Sequence, residues 1–321
     1  MQISNAMRYA LGVCAAVTLV GCSASQISLD PRETVGQNAM LAAHPDRGRS
    51  WMAPAAKKEN LVYISDLGTD DVYVYSYPGG KLEGTLTGFN RPWGLCVDKA
   101  GHVFVTDDTA FQILEYAHGG AKPLAILKDP GEDPGGCSVD PTTGNLAVAN
   151  ISTPATYPGD VAIYKKARGA RKAYKDPQIS FYEYCGYDNQ GNLYVDGMKG
   201  GTFAFAELPE GKHSFVNIAL NEDIAFGGSV QWDGTYVAVR DYEANVIYQF
   251  SINGSSGTET GSTPLTGSSY AVQFWVQGSD VVGPNADSAN VMFWKYPAGG
   301  SPTQTISGLT TPWGVTVSMA H

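Results

Sequence analysis

Two tryptophans, one glutamate and a series of regularly spaced acids and amides are the residues of this chain whose types could do chemistry. Asp66, Asp107, Asn150, Asp241 and Asn285 each close a short run of strand-forming residues. Trp93 and Trp313 occupy the same place in two copies of a Pro-Trp-Gly phrase, and Arg91 stands just before the first copy. Glu183 falls at the corresponding place of a third copy, where no other copy has an acid. Carboxylate and amide oxygens accept hydrogen bonds and hold hard cations such as Ca2+. Indoles add broad apolar faces and a single N–H donor. Brought to one surface, this set would suit a cation, a polyhydroxyl ligand or a partner protein. The same types also have a structural use. An Asp or Asn that returns with every repeat is a turn former whose side chain accepts backbone N–H groups, and a Trp can pack beneath loops. Glu183 does not repeat, which makes it the sharper candidate.

The elements that must position these residues form a repeat. Pro92-Trp93-Gly94-Leu95-Cys96-Val97-Asp98, a turn, and His102 to Asp107 make one copy. Pro134 to Asp140 with Asn145 to Asn150, and Tyr184 to Asp188 with Gly191 to Asp196, make two more. Weaker copies begin at Gly228 and Ala271, and the anchors fall 42–48 residues apart. A third strand and a Gly-rich turn follow in each period, then a more polar fourth strand. Four short strands per period, six times over, predict a six-bladed β-propeller of four-stranded blades across residues 61–318. The ends complement each other. Leu61 to Asp66 is a second strand without its first, and Pro312 to Ser318 is a first strand without its second. Closure by the C-terminal strand in the N-terminal blade would remove the exposed edges. The starts of the first strands and the ends of the second strands then share one face, around the channel mouth. That face carries Trp93, Trp313 and Glu183 with Asp66, Asp107, Asn150, Asp241 and Asn285. The longest loop there, Ile151 to Gly159, reads as a rim.

The phrase Pro-x-Gly-x-x-Val-Asp, turn, Gly-Asn-Leu-Tyr-Val-x-Asp resembles NHL-type and related six-bladed propeller repeats, best over 92–107, 134–150 and 184–197. The resemblance implies the fold and leaves the activity open. Six-bladed lactonases of the gluconolactonase type hold a divalent metal at the channel mouth with Glu, Asn and Asp. Glu183, Asn150 and Asp241 are of those types and form the alternative site, with Ca2+ or another divalent ion as its cofactor. The early Glu-Gly-Pro motif of that family is missing. Streptogramin-lyase-like enzymes need a channel-facing His base. His102 stands at the far end of its strand, His118 and His213 stand in outer turns, and His44 and His321 lie outside the repeats. The Gly pairs end strands, so no phosphate loop is signalled. The basic run Lys165 to Lys175 reads as a solvated turn.

Residues Met1 to Gly21 carry one cation, Arg8, and an apolar stretch too short to span a bilayer. The end, Leu19-Val20-Gly21-Cys22, resembles a bacterial lipobox, which implies a signal peptide over 1–21 and lipidation of Cys22. Residues 22–60 read as a flexible tether and 319–321 as a tail. Ser23 after the Cys favours outer-membrane sorting. Three further cysteines, Cys96, Cys137 and Cys185, read as buried small side chains, with a Cys137–Cys185 disulfide as the alternative. Charged residues are 16% of 321 and the net charge is −10. That excludes charge-driven disorder and argues against a nucleic-acid partner. The sequence therefore points to a monomeric envelope propeller, lipid-anchored at the outer membrane. It binds a partner protein or glycan at its channel mouth without a cofactor, and a metal-dependent lactonase is the alternative.

Overall fold

A computed structural model describes residues 48–151 and 158–321. Six mainly antiparallel sheets follow one another along the described residues, built from short strands. Their sequences explain them. Asp71–Ser76 and Asn290–Lys295 are runs of β-branched, aromatic and other apolar residues with polar residues at their ends. Gly-containing turns end them. Blade two, for example, runs Pro92–Val97, Val103–Asp107, Gln112–Tyr116 and Pro123–Lys128. The first blade takes its innermost strand, Pro312–Ser318, from the far end of the chain. That strand pairs antiparallel with Leu61–Asp66, Leu61 opposite Ser318 and Ile64 opposite Val315.

The core lies between blades. Leu61, Tyr63 and Val74 of blade one pack on Leu95, Val105 and Leu114 of blade two. Equivalent clusters follow between each next pair. The last joins Val282 and Phe293 of blade six to Val62 and Val315 of blade one. The ring is therefore closed by side chains as well as by the strand, and the six-bladed propeller read from the repeat is the fold. Among the described residues no helix is long and apolar enough to cross a membrane.

Residues 48–60, inside the stretch read as tether, lie against the ring. Trp51–Met52 adds a fifth strand to blade one, with Trp51 opposite Thr85. The 3-10 turn Pro54–Lys58 buries Ala56. It rests on Gly119, whose φ is +59° and where a Cβ would stand 2.9 Å from the Lys57 nitrogen. The stretch read as a signal peptide, Cys22, and the first part of the stretch read as a tether lie outside the described residues.

The cysteines correct both sequence expectations. Cys96 and Cys137 form a disulfide, with Cα atoms 5.7 Å apart, and Cys185 is the free, buried thiol. Strand alternation gives the reason. Cys137 and Cys185 hold equivalent positions in the repeat. Each faces the blade before it, Cys137 in the cluster between blades two and three and Cys185 in the next. Two side chains pointing the same way round a ring do not meet. Cys96 is one residue out of phase, faces forward, and meets Cys137.

Candidate functional site at the channel mouth

A bulge presents the mouth residues. In five blades the innermost strand carries one residue more than its neighbour at the same point. Pro92 pairs with Asp107 and Leu95 with Val105, so Trp93-Gly94 together oppose Thr106. Trp313-Gly314, Gly135-Gly136, Glu183-Tyr184 and Gly228-Ser229 are bulged alike. Such a bulge re-aims side chains that a flat strand would send into the sheet.

In blades one, two and four the side chain opposite the bulge ties it down. Gly94 N–H donates to Thr106 Oγ1 at 2.7 Å and Gly314 N–H to Ser65 Oγ at 2.8 Å. Each hydroxyl then donates to the next blade, Thr106 to the Gly135 carbonyl and Ser65 to the Trp93 carbonyl, both at 2.7 Å. Blade four puts a carboxylate in this place. Asp196 Oδ1 accepts the Tyr184 N–H at 2.9 Å, but its buried Oδ2 has no hydrogen-bond partner. Burial, then the Glu183 charge, push the Asp196 carboxyl well above the usual range. In blade five Arg240 donates from Nε to the Ala271 carbonyl at 3.0 Å and from Nη2 to Asn245 and Ser268.

The repeating acids and amides serve their own loops. Asp66 accepts from Gly68, Thr310 and Thr311 N–H groups, and Asp107 from Asn90 and Arg91. Asp241 accepts from Ala225, Glu243 and Ala244, and Asn285 from Ser269. Asn150 donates to Asp160 at 2.8 Å. Asp160 is in turn gripped by Arg171, which also reaches Asp129 at 2.9 Å and Glu132 at 2.8 Å. The basic run is thus not all solvated. Burial outweighs the pull of Arg171 and pushes the Asp129 carboxyl up to about 6. In the Glu183–Asn150–Asp241 set both Asp241 oxygens accept backbone N–H groups, whereas Asn150 donates only through Nδ2 and its buried Oδ1 has no hydrogen-bond partner. Among the described residues no group of three Asp, Glu, His or Cys is placed to hold a metal.

What the mouth does hold is an arc of rings. Trp93 and Trp313 lie 4.8 Å apart at 56°, both only 2% exposed. Tyr270 follows at 5.6 Å from Trp313, Tyr242 at 5.1 Å from Tyr270, and Phe226 at 5.6 Å from Tyr242. At the other end the Arg91 guanidinium sits 4.9 Å over the Trp93 ring, 3.6 Å from Asp108. Glu183 is 8% exposed, and after burial its charge is the main cause holding the Tyr242 phenol high. Tyr184 takes the place that Gly94 and Gly314 hold in other blades. The two indole N–H groups are near enough to favour its phenolate, although burial keeps its pKa well above the ordinary value. Its hydroxyl and both indole nitrogens lack hydrogen bonds of ordinary geometry. Sequence reasoning found Trp93, Trp313, Glu183 and Arg91 but passed over Tyr184, Tyr242, Tyr270 and Phe226. Tyr184 had a signal, a large side chain at a Gly position of the phrase. The rim expected from Ile151 to Gly159, including Tyr157, falls mostly outside the described residues.

Deeper in the channel, the Gln273 amide bridges three blades. Its Nε2 donates to the Leu95 carbonyl at 2.7 Å, and its Oε1 accepts from Leu95 and Val315 at 3.2 Å. Beyond it a cavity of about 260 Å³ opens towards the opposite face, lined by Tyr187, Trp232, Trp275 and the Cys96–Cys137 bridge.

Residues 89–114 match the NHL repeat family. They are the heart of blade two and include Arg91, Trp93 and Asp107. A chain in the crystal structure of a nidogen/laminin complex is similar over 82% of this chain and 99% of its own, with a TM-score of 0.68 at 13% identity. A functionally unknown protein from Desulfotomaculum acetoxidans matches over 82% of this chain and 100% of its own, with a TM-score of 0.56 at 10% identity. At these identities the likeness is one of fold. No curated protein matches.

Proposed function

We propose that this chain is a lipid-anchored protein of the cell envelope, sorted to the outer membrane. Its monomeric propeller binds a partner protein or glycan at the bulged channel mouth, without chemistry of its own. The observation that carries the reading is the arc from Arg91 to Phe226 around Glu183. It departs from the repeat at Glu183 and Tyr184, and it gathers buried polar atoms of Tyr184, Trp93, Trp313 and Asp196 that make no hydrogen bond of ordinary geometry. Buried groups without partners mark places where a ligand or water completes the set. The disulfide supports an oxidising compartment, and the Leu19 to Cys22 box supports the anchor. A similar fold in a nidogen/laminin complex is in keeping with a binding role.

The test has two arms. Cys22→Ala should abolish incorporation of labelled fatty acid and move the protein out of the membrane fraction; a wild-type protein that never takes up label would refute the anchor. Crosslinking in intact envelopes should capture a partner or glycan through wild type and lose it in Tyr242→Ala. Equal capture by both would move the site off this face.

A further inference from the structure

At the end of the channel away from the mouth, residues of blades two to six surround a space of about 260 Å³, with the buried Gln273 at its inner end and the exposed Asn189 at its rim. Much of the wall is apolar. Val97, Val139, Pro141, Trp232 and Trp275 line the space, and all five are half-buried. Phe274 and the Cys96–Cys137 bridge belong to the same wall. Partly bare apolar side chains gathered from several blades into one hollow mark a place that small molecules fill.

Most polar side chains of the wall are spent on the ring itself. Gln231 donates from Nε2 to the Val276 carbonyl at 3.1 Å, and its Oε1 accepts the Val276 N–H at 2.7 Å. Ser229 Oγ accepts the Phe274 N–H at 2.9 Å, and Ser138 Oγ accepts the Tyr187 N–H at 3.0 Å. Asp188 is the wall's carboxylate. One of its oxygens accepts the Gln190 and Asn192 N–H groups, and the other accepts the Asn192 amide. Among the described residues no Lys, Arg, His or Glu lines the cavity. What is left over is neutral. The Tyr184 hydroxyl and the Trp232 indole N–H are buried without a hydrogen bond of ordinary geometry, and Asn189 carries its amide at the rim. Burial holds the Tyr184 phenol and the Cys185 thiol well above their ordinary pKa values, so neither adds charge.

These walls select a ligand by chemistry. An anion would meet no cation, and a cation would meet a carboxylate already engaged. A sugar must replace a hydrogen bond for each hydroxyl it buries, and the Gln and Ser side chains are already committed. A flat aromatic ring makes no such demand and gains by covering Trp232, Trp275 and the two valines. An apolar cavity of about 150 Å³ holds one benzene, so this larger space has room for a second ring or a substituent. We propose that this end of the channel binds a neutral aromatic molecule of one or two fused rings with a single polar substituent, such as a hydroxyl. The site is distinct from the channel mouth, and neither reading depends on the other.

The experiment titrates the oxidised full-length protein with naphthol, read by calorimetry and by Trp fluorescence, beside naphthoate and glucose. Saturable binding of naphthol at one site per chain is expected. Naphthoate, the same rings with a charge, should bind at least about tenfold more weakly, and glucose should not saturate. Trp275→Ala should weaken naphthol binding about tenfold by removing a ring from the wall. Val139→Phe should weaken it as much by taking up the space. Melting curves identify a variant that fails to fold, and the other variant then decides; the comparison of naphthol with naphthoate needs neither. No saturable binding of naphthol by folded wild type overturns the proposal, and so does naphthol binding that the folded variants keep unchanged. Naphthoate bound as tightly as naphthol, or glucose bound saturably in its place, overturns the ligand class.

Discussion

Trp93 and Asp196 show how the bulged mouth is packed in one blade and strained in another. Trp93 is almost wholly buried between Trp313 and Arg91, so Trp93→Ala should cost roughly 3–5 kcal/mol of stability. Chemical denaturation would show it; a loss below about 1 kcal/mol would mean that the indole is not part of the packed mouth. Asp196 is the opposite case. Ser65 and Thr106 both accept from their own bulge and donate to the next blade. An ionised carboxylate can only accept. Since folding raises this carboxyl's pKa, the folded state holds the proton more tightly than the unfolded chain. Its stabilising share is whole in acid, below the unfolded value, and is lost as pH rises towards the folded value. Asp196→Asn restores a donor at the same size. It should raise stability at pH 8 by about 1–3 kcal/mol, the cost of an unsatisfied buried group, and by less at pH 4. A melting temperature that falls equally at both pH values would contradict this account.

At the level of strands, the disulfide and the bulge divide what could be read in advance from what could not. The period, the blade count and the two half-repeats were plain because each strand obeys its own alternation and each turn its own glycine. Cys96–Cys137 depends on which way two neighbouring strands face, a relation between elements. It was nonetheless implicit in the repeat: Cys137 and Cys185 stand in phase, and Cys96 does not. Asp66, Asp107, Asp241 and Asn285 were rightly suspected of a turn role, since their oxygens are spent on backbone N–H groups of the same blade. The aromatic arc was half visible. Trp93, Trp313 and Glu183 share a repeat position, whereas Tyr242, Tyr270 and Phe226 lie in loops whose course no periodicity dictates. The bridge should matter to the ring, because it closes a loop of 41 residues. The chain-entropy relation puts such a cross-link at about 4 kcal/mol. Cys96→Ser in the oxidised protein should therefore lower the denaturation midpoint, and Cys137→Ser should lower it equally. A variant pair that differs from wild type only when Cys185 is also changed would show another pairing.

At the largest scale, the described residues form a ring held by six interblade cores and one borrowed strand. Deleting Pro312–Ser318 would strip Leu61–Asp66 of its inner partner and remove Val315 and Val317 from the seam with blade six. The expected result is aggregation or loss of a cooperative transition, since an unpaired, apolar edge remains. A truncated protein that stays monodisperse and melts as sharply as wild type would disprove the closure. The same seam sets an order of events in time. A ribosome delivers Ser65 long before Gly314, 249 residues later; at ~5–20 residues per second that is roughly tens of seconds during which blade one has no inner wall. Every earlier blade can collapse on its neighbour as it appears, yet none of them can finish the circle. The last strand to be made is the one that completes the ring, and until it arrives Leu61–Asp66 keeps an unpaired inner edge.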